Sequence, residues 1–162
     1  MDSSKEPVKR LDKKTAKARL EQYCAYQERS QQEVREKLYS YGLYPSEVED
    51  LICNLIEANY LNEERFAIAY TLGKFRIKHW GRIKIKQGLK QKRVGDNLIK
   101  KALGQIDAEE YERALMGVLK KKDALSKESN AFTRRQKLIQ YAISRGYETD
   151  LVIDCLNSSG LI

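Results

Sequence analysis

The sequence predicts an all-α fold: three tandem three-helix repeats in an elongated, curved right-handed or solenoid-like array. Three observations carry the prediction. In 162 residues there are only two prolines, with 33% charged and 41% hydrophobic residues, which suits short amphipathic helices and a thin core. One apolar spacing recurs around three pivots. One helix-start signature recurs as well.

The pivots are Gly42, Arg93 and Gly146. Around the first lie Val34, Leu38, Val48 and Ile52; around the second Ile85, Leu89, Ile99 and Leu103; around the third Leu138, Ala142, Val152 and Leu156. In each set the first pair makes a helical stripe before the pivot and the second pair a stripe after it, with a tight turn between. Glycine suits the turn because helices often end in a left-handed residue that glycine enters cheaply. Arg93 breaks that rule, and Gly95 is expected to take over its turn.

The helix-start signature is Leu61-Asn62-Glu63-Glu64-Arg65-Phe66, which returns as Ile106-Asp107-Ala108-Glu109-Glu110-Tyr111. Asn62 or Asp107 can accept from the first free amides, and the glutamates suit the positive helix end. Leu61 can pack back on Phe66 as a hydrophobic staple. Asp12 or Thr15 can cap a corresponding first helix through Leu20, Tyr23 and Cys24. The expected order is a basic, poorly ordered arm over 1–12, then repeat one over 13–60 with helices 13–27, 31–41 and 46–59. Repeat two, 61–105, uses helices 63–79, 82–92 and 96–104. Repeat three, 106–162, uses helices 108–122, 131–145 and 149–157. One such unit buries little by itself, whereas stacking extends the core from unit to unit.

Chemistry-bearing patterns are sparse. One histidine, His79, lies among lysines, and no P-loop, dinucleotide fingerprint or nucleophile elbow is present. An enzyme is therefore not expected, nor a cofactor. Cys24, Cys53 and Cys155 lack CxxC spacing and read as reduced, small core residues rather than metal ligands. With no secretory or long apolar run the chain is expected to be cytoplasmic and without a membrane partner; a monomer is expected as well.

Charge is more informative. The net charge is +8, and it is segregated. Lys74–Lys101 carries eleven basic residues against one acid, Glu33–Arg65 three against eight, and Arg113–Arg145 nine against two. Helical spacing gathers Arg82, Lys86, Lys90 and Arg93 into a cationic rail beside the core positions Ile85 and Leu89. Lys92 adjoins it. Upstream Lys74, Arg76 and Lys78 extend the positive field, and Arg134, Arg135 and Lys137 make a second patch. Such a rail can track phosphates, meet an acidic protein surface or remain a solvated face. Gly81 permits a close turn before it. Trp80 is either a core plug, the favoured reading, or an exposed stacking surface. Phe66, Ala67 and Tyr70 share a stripe expected to be core.

The stretches LNEERFAIAY and WGRIKIKQGLKQKRV, with RSQQEVREKLYSYG before them, resemble the RecX family of bacterial recombination regulators. The likeness rests on Leu61, Asn62 to Glu64, Arg65-Phe66-Ala67, Gly81 with Ile85, and Leu89 to Lys92. Arg29, Ser30, Glu33, Val34, Leu38 and Gly42 add to it. It covers residues 15–157, departing at Arg93, where the family commonly has glycine, at His79-Trp80, and in a less typical third unit. The resemblance implies tandem three-helix repeats that bind the RecA filament on DNA, lie in its groove and suppress recombinase and ATPase activity. The alternative from the residues alone is a stand-alone helical protein contacting single- or double-stranded DNA weakly through phosphates, without sequence specificity. A purely structural adaptor is the third reading.

Overall fold

The computed structural model describes residues 9–161. Among them are nine α-helices and no strand: α1 (Lys13–Tyr26), α2 (Gln31–Ser40), α3 (Pro45–Glu57), α4 (Glu63–Lys78), α5 (Arg82–Gln91), α6 (Asp96–Leu103), α7 (Ala108–Leu125), α8 (Ala131–Ser144) and α9 (Thr149–Ser159). Of the expected N-terminal arm, 1–8 lies outside the described residues. Residues 9–12 are not loose, contrary to expectation. The Leu11 amide donates to the Tyr41 carbonyl at 3.0 Å, and Leu11 packs against the core. Arg10 pairs with Glu47 and lies 4.2 Å above the Tyr44 ring.

The helix starts follow local chemistry. Asp12, not Thr15, caps α1 and accepts from the Thr15 amide at 3.2 Å. Asn62 accepts from Arg65 at 2.9 Å and Asp107 from Glu110 at 2.9 Å. Ser30, fully buried, forms a reciprocal capping box with Glu33. Such caps contribute about 1 kcal/mol each.

All three pivots are left-handed: Gly42 at φ 79°, Arg93 at φ 58° and Gly146 at φ 99°. The expectation that Gly95 would take over the second turn is therefore corrected. Gly95 is extended, at φ −68°, and stands at the N-cap of α6. Arg93 accepts the left-handed conformation at a cost on the order of 1 kcal/mol. Around the pivots, eleven of the twelve repeat positions are buried and Leu103 is half-buried.

The contacts gather the chain into two compact units, Met1–Phe66 with Lys92–Val94, and Ala67–Gln91 with Gly95–Ile162. The first holds α1–α3 around Leu20, Val34, Leu38, Leu51 and Leu55, each at most 1% exposed. The second holds α5–α9 and most of α4 around Ile85, Leu89, Tyr111, Leu115, Tyr147 and Val152, all fully buried. Each such leucine or isoleucine contributes roughly 1.5–3 kcal/mol over an exposed one.

Cys24 and Cys155 are buried as expected, and burial pushes the Cys24 thiol up to about 11. Cys53 is exposed, contrary to expectation. It falls on the solvent side of α3 while its neighbours Leu51, Ile52 and Leu55 face the core.

Candidate interaction surface

The basic helix α5 is anchored in the second unit at its N-terminal end. His79, at φ 56°, closes α4, and the Trp80 amide reaches back to the Lys74 carbonyl at 3.2 Å. Gly81 then lies backbone to backbone against the α8–α9 turn. Its amide donates to the Arg145 carbonyl at 2.8 Å, and the Ile83 amide donates to Gly146 at 3.0 Å. A Cβ on Gly81 would stand 2.3 Å from the Gly146 carbonyl group, so only glycine fits. Two side chains complete the clamp: the Tyr147 hydroxyl donates to the His79 carbonyl at 2.9 Å, and Arg145 donates to the Lys78 carbonyl.

Arg82 belongs to this anchor. Its guanidinium pairs with Glu148 at 2.7 Å and lies 3.8 Å from the centre of the Tyr111 ring. Its amide donates to the Tyr111 hydroxyl at 3.0 Å, and that hydroxyl donates in turn to Glu148. Burial, then the bond to Glu148, raises the Tyr111 phenol well above its ordinary range, so it stays a donor. The first member of the expected rail thus faces inward, because a carboxylate and an aromatic ring from later in the chain meet it there.

Lys86 and Lys90 are exposed, with no ion pair among the described residues. Together with Asn97 and Lys100 they line a cleft of about 460 Å³ whose apolar side is Ile99 and Leu103 and whose one acid is Asp96. Lys92 and Arg93 belong to the first unit. There Lys92 pairs with Glu33 at 3.1 Å. Arg93 is exposed with no ion pair among the described residues. The four-residue rail is therefore two lysines on α5, to which α6 adds Lys100.

The remaining candidates divide similarly. Trp80 is half-buried, not a core plug. Lys74 and Lys84 stand 4.8 and 4.6 Å from its ring centres, and Lys74 is also 5.4 Å from Tyr70. Arg76 pairs with Glu110 at 3.5 Å, while Lys78 is exposed. In α8, Arg134 pairs with Asp123 at 3.2 Å and Lys137 with Glu128 at 3.3 Å, and Arg135 donates to Asn157 at 2.7 Å. This second patch is largely neutralised locally. Leu61, Phe66 and Ala67 are buried as expected. Tyr70 is only half-buried, and its phenol occupies the space a side chain at Gly88 would need, 2.0 Å from the would-be Cβ.

Among the described residues no cluster of His, Cys, Asp and Glu is arranged for a metal, and no helix is long and apolar enough to cross a membrane.

Family models for the second and third three-helix domains of RecX match residues 62–103 and 108–156, together more than half of the chain. The chain belongs to the RecX family. It is 33% identical over 132 residues to the regulatory protein RecX of Clostridium perfringens (strain 13 / Type A), covering 80% of this chain and 59% of that protein. It is 28% identical over 135 residues to that of Bacillus mycoides (strain KBAB4), covering 83% and 50%. The chain thus spans between half and three-fifths of the length of these relatives. Among solved structures, RecX from Lactobacillus salivarius superposes with a TM-score of 0.83 at 21% identity, covering 93% of this chain and 97% of that one. A second regulatory protein RecX gives 0.80 at 22% identity, with 88% and 71% covered. Those two likenesses concern the fold. The α4–α6 match opens on the cap Asn62 and contains both Gly81 and the exposed lysines of α5, whereas Glu148, which holds Arg82, falls in the α7–α9 match.

Proposed function

We propose that this RecX-family regulatory chain binds the RecA–DNA filament, lies in its groove and inhibits recombinase and ATPase activity by blocking growth or promoting disassembly. It acts in the cytoplasm as a monomer and carries out no chemistry of its own. The observation that carries the reading, beyond family membership, is how the charge is used. Several acids of the first unit are set against its own cations, as in Arg35–Glu49 at 2.8 Å and Lys92–Glu33 at 3.1 Å. In the second unit Lys86 and Lys90 are exposed and make no ion pair among the described residues, which supports a role in contacting a partner. Lysines present point charges that suit a polyanion without demanding one geometry.

The test is a titration of the chain into single-stranded-DNA-dependent RecA ATPase. Inhibition at amounts stoichiometric with RecA or below is expected. Unchanged hydrolysis at excess would overturn the reading. Exposed Gln87 and Gln91 on α5 favour a second one, in which the helix contacts nucleic acid without RecA. Tight binding to bare oligonucleotide, weakening steeply with salt, together with no effect on RecA would select it.

A further inference from the structure

A glycine inside a helix costs about 0.5–1 kcal/mol relative to alanine, so its place needs a reason. On α5 the reason is visible: Gly88 makes room for the Tyr70 ring. Gly117, near the middle of α7, has no such reason. Its backbone is helical, and nothing lies within 4 Å of where a Cβ would stand. The missing side chain deepens a groove of about 500 Å³ lined from α4, α7 and His79 between α4 and α5. Phe75, Ala114 and Val118 complete its apolar part, while Arg76, Arg113 and Lys121 stand among its lining with Glu110 as the one carboxylate. Lys121 makes no ion pair among the described residues, and Arg113 has only a loose 3.9 Å contact with Glu109 on an exposed surface, which holds it weakly.

We propose that this groove is a second binding surface, distinct from the lysines of α5, and that it takes an acidic protein segment whose apolar side chains enter beside Gly117 while its carboxylates meet Arg113 and Lys121. An apolar floor edged by cations fits an amphipathic acidic helix, which lays one face into a groove and keeps its charge at the margin. A phosphodiester chain would use the cations but leave the apolar floor unfilled, and it would meet Glu110. The inference rests on the proposed reading only in that the partner is a protein.

The test uses the full chain and a fluorescent synthetic peptide with leucines along one helical face and glutamates elsewhere, followed by anisotropy. The peptide is expected to bind, and a peptide with the same leucines but lysines for glutamates is not. Gly117→Leu should fill the groove and weaken binding by roughly tenfold or more. It should not lower the melting temperature, because leucine is the better helix former. Paired Arg113→Glu and Lys121→Glu should weaken binding comparably. The groove proposal is overturned if the acidic peptide fails to bind, if the lysine peptide binds as well, or if Gly117→Leu leaves binding unchanged. It is equally overturned if Gly117→Leu abolishes capture of a single-stranded oligonucleotide instead. RecA ATPase with the unsubstituted chain separates the two readings: Gly117-dependent peptide binding without ATPase inhibition leaves the groove standing and removes RecA as its partner.

Discussion

The two ends of α5 carry the same charge and use it differently. At the N-terminal end Arg82 is drawn inward, paired with Glu148 and laid over Tyr111. One and two turns later Lys86 and Lys90 are exposed, with no ion pair among the described residues. Charge alone does not mark a contact residue; what decides is whether the rest of the fold has already supplied the counter-charge. The arginine end takes a residue whose planar fork suits a fixed carboxylate and a ring, and the other end takes lysines, whose mobile ammonium groups suit an external polyanion.

The largest effect should come from breaking the fixed end at its backbone. Gly81→Ala places a methyl group 2.3 Å from the Gly146 carbonyl, where backbone rather than a yielding side chain must move. A loss of about 3 kcal/mol or more is expected, read as a lowered denaturant midpoint. An unchanged midpoint would mean that the elbow is not clamped by the α8–α9 turn.

A smaller effect is expected from Arg82→Ala, which keeps the backbone clamp but removes the guanidinium. The pair with Glu148 is about one-third exposed on each side, so the ion pair itself is worth little. Adding the lost contact with the Tyr111 ring, destabilisation of roughly 1–2 kcal/mol is expected. Arg82→Lys should recover only part of it, because an ammonium cannot reproduce the fork. If Arg82→Ala were as stable as the parent chain and bound polyanions less well, the residue would belong with Lys86 and Lys90 after all.

Local physics made much of this fold legible. Asn62 and Asp107 cap as their spacing requires, and the apolar positions around Gly42 and Gly146 are buried because helix periodicity is a property of neighbours along the chain. Arg93 was harder. Its place in the repeat argues for a left-handed turn while its residue type argues against one, and the repeat prevails at φ 58°. The site was less legible still. Glu148 lies 66 positions from Arg82, so no helical wheel could reveal that the rail begins one turn later than it appears. Trp80 is half-buried where a core plug was the favoured expectation, and its ring lies 4.6 Å from the Lys84 ammonium. The groove at Gly117 left only one sequence signal, a glycine where α7 has no use for one.

The smallest effect on stability should come from the free end. Paired Lys86→Glu and Lys90→Glu breaks no ion pair among the described residues and disturbs no buried side chain, so the unfolding free energy should change by no more than about 0.5 kcal/mol. Its whole consequence should fall on binding. Each lysine that neutralises a phosphate adds roughly 0.7 to the slope of log affinity against log salt on a single strand. Removing two should flatten that slope by about 1.4, as well as weakening association at low salt. If the lysines instead meet carboxylates on the protein of the filament, affinity for the filament should fall while the slope on bare DNA stays as it was. Unchanged affinity for both would leave α5 with a solvated face. The contrast with Arg82 would then reduce to one arginine that the fold needs and two lysines that only keep the helix soluble.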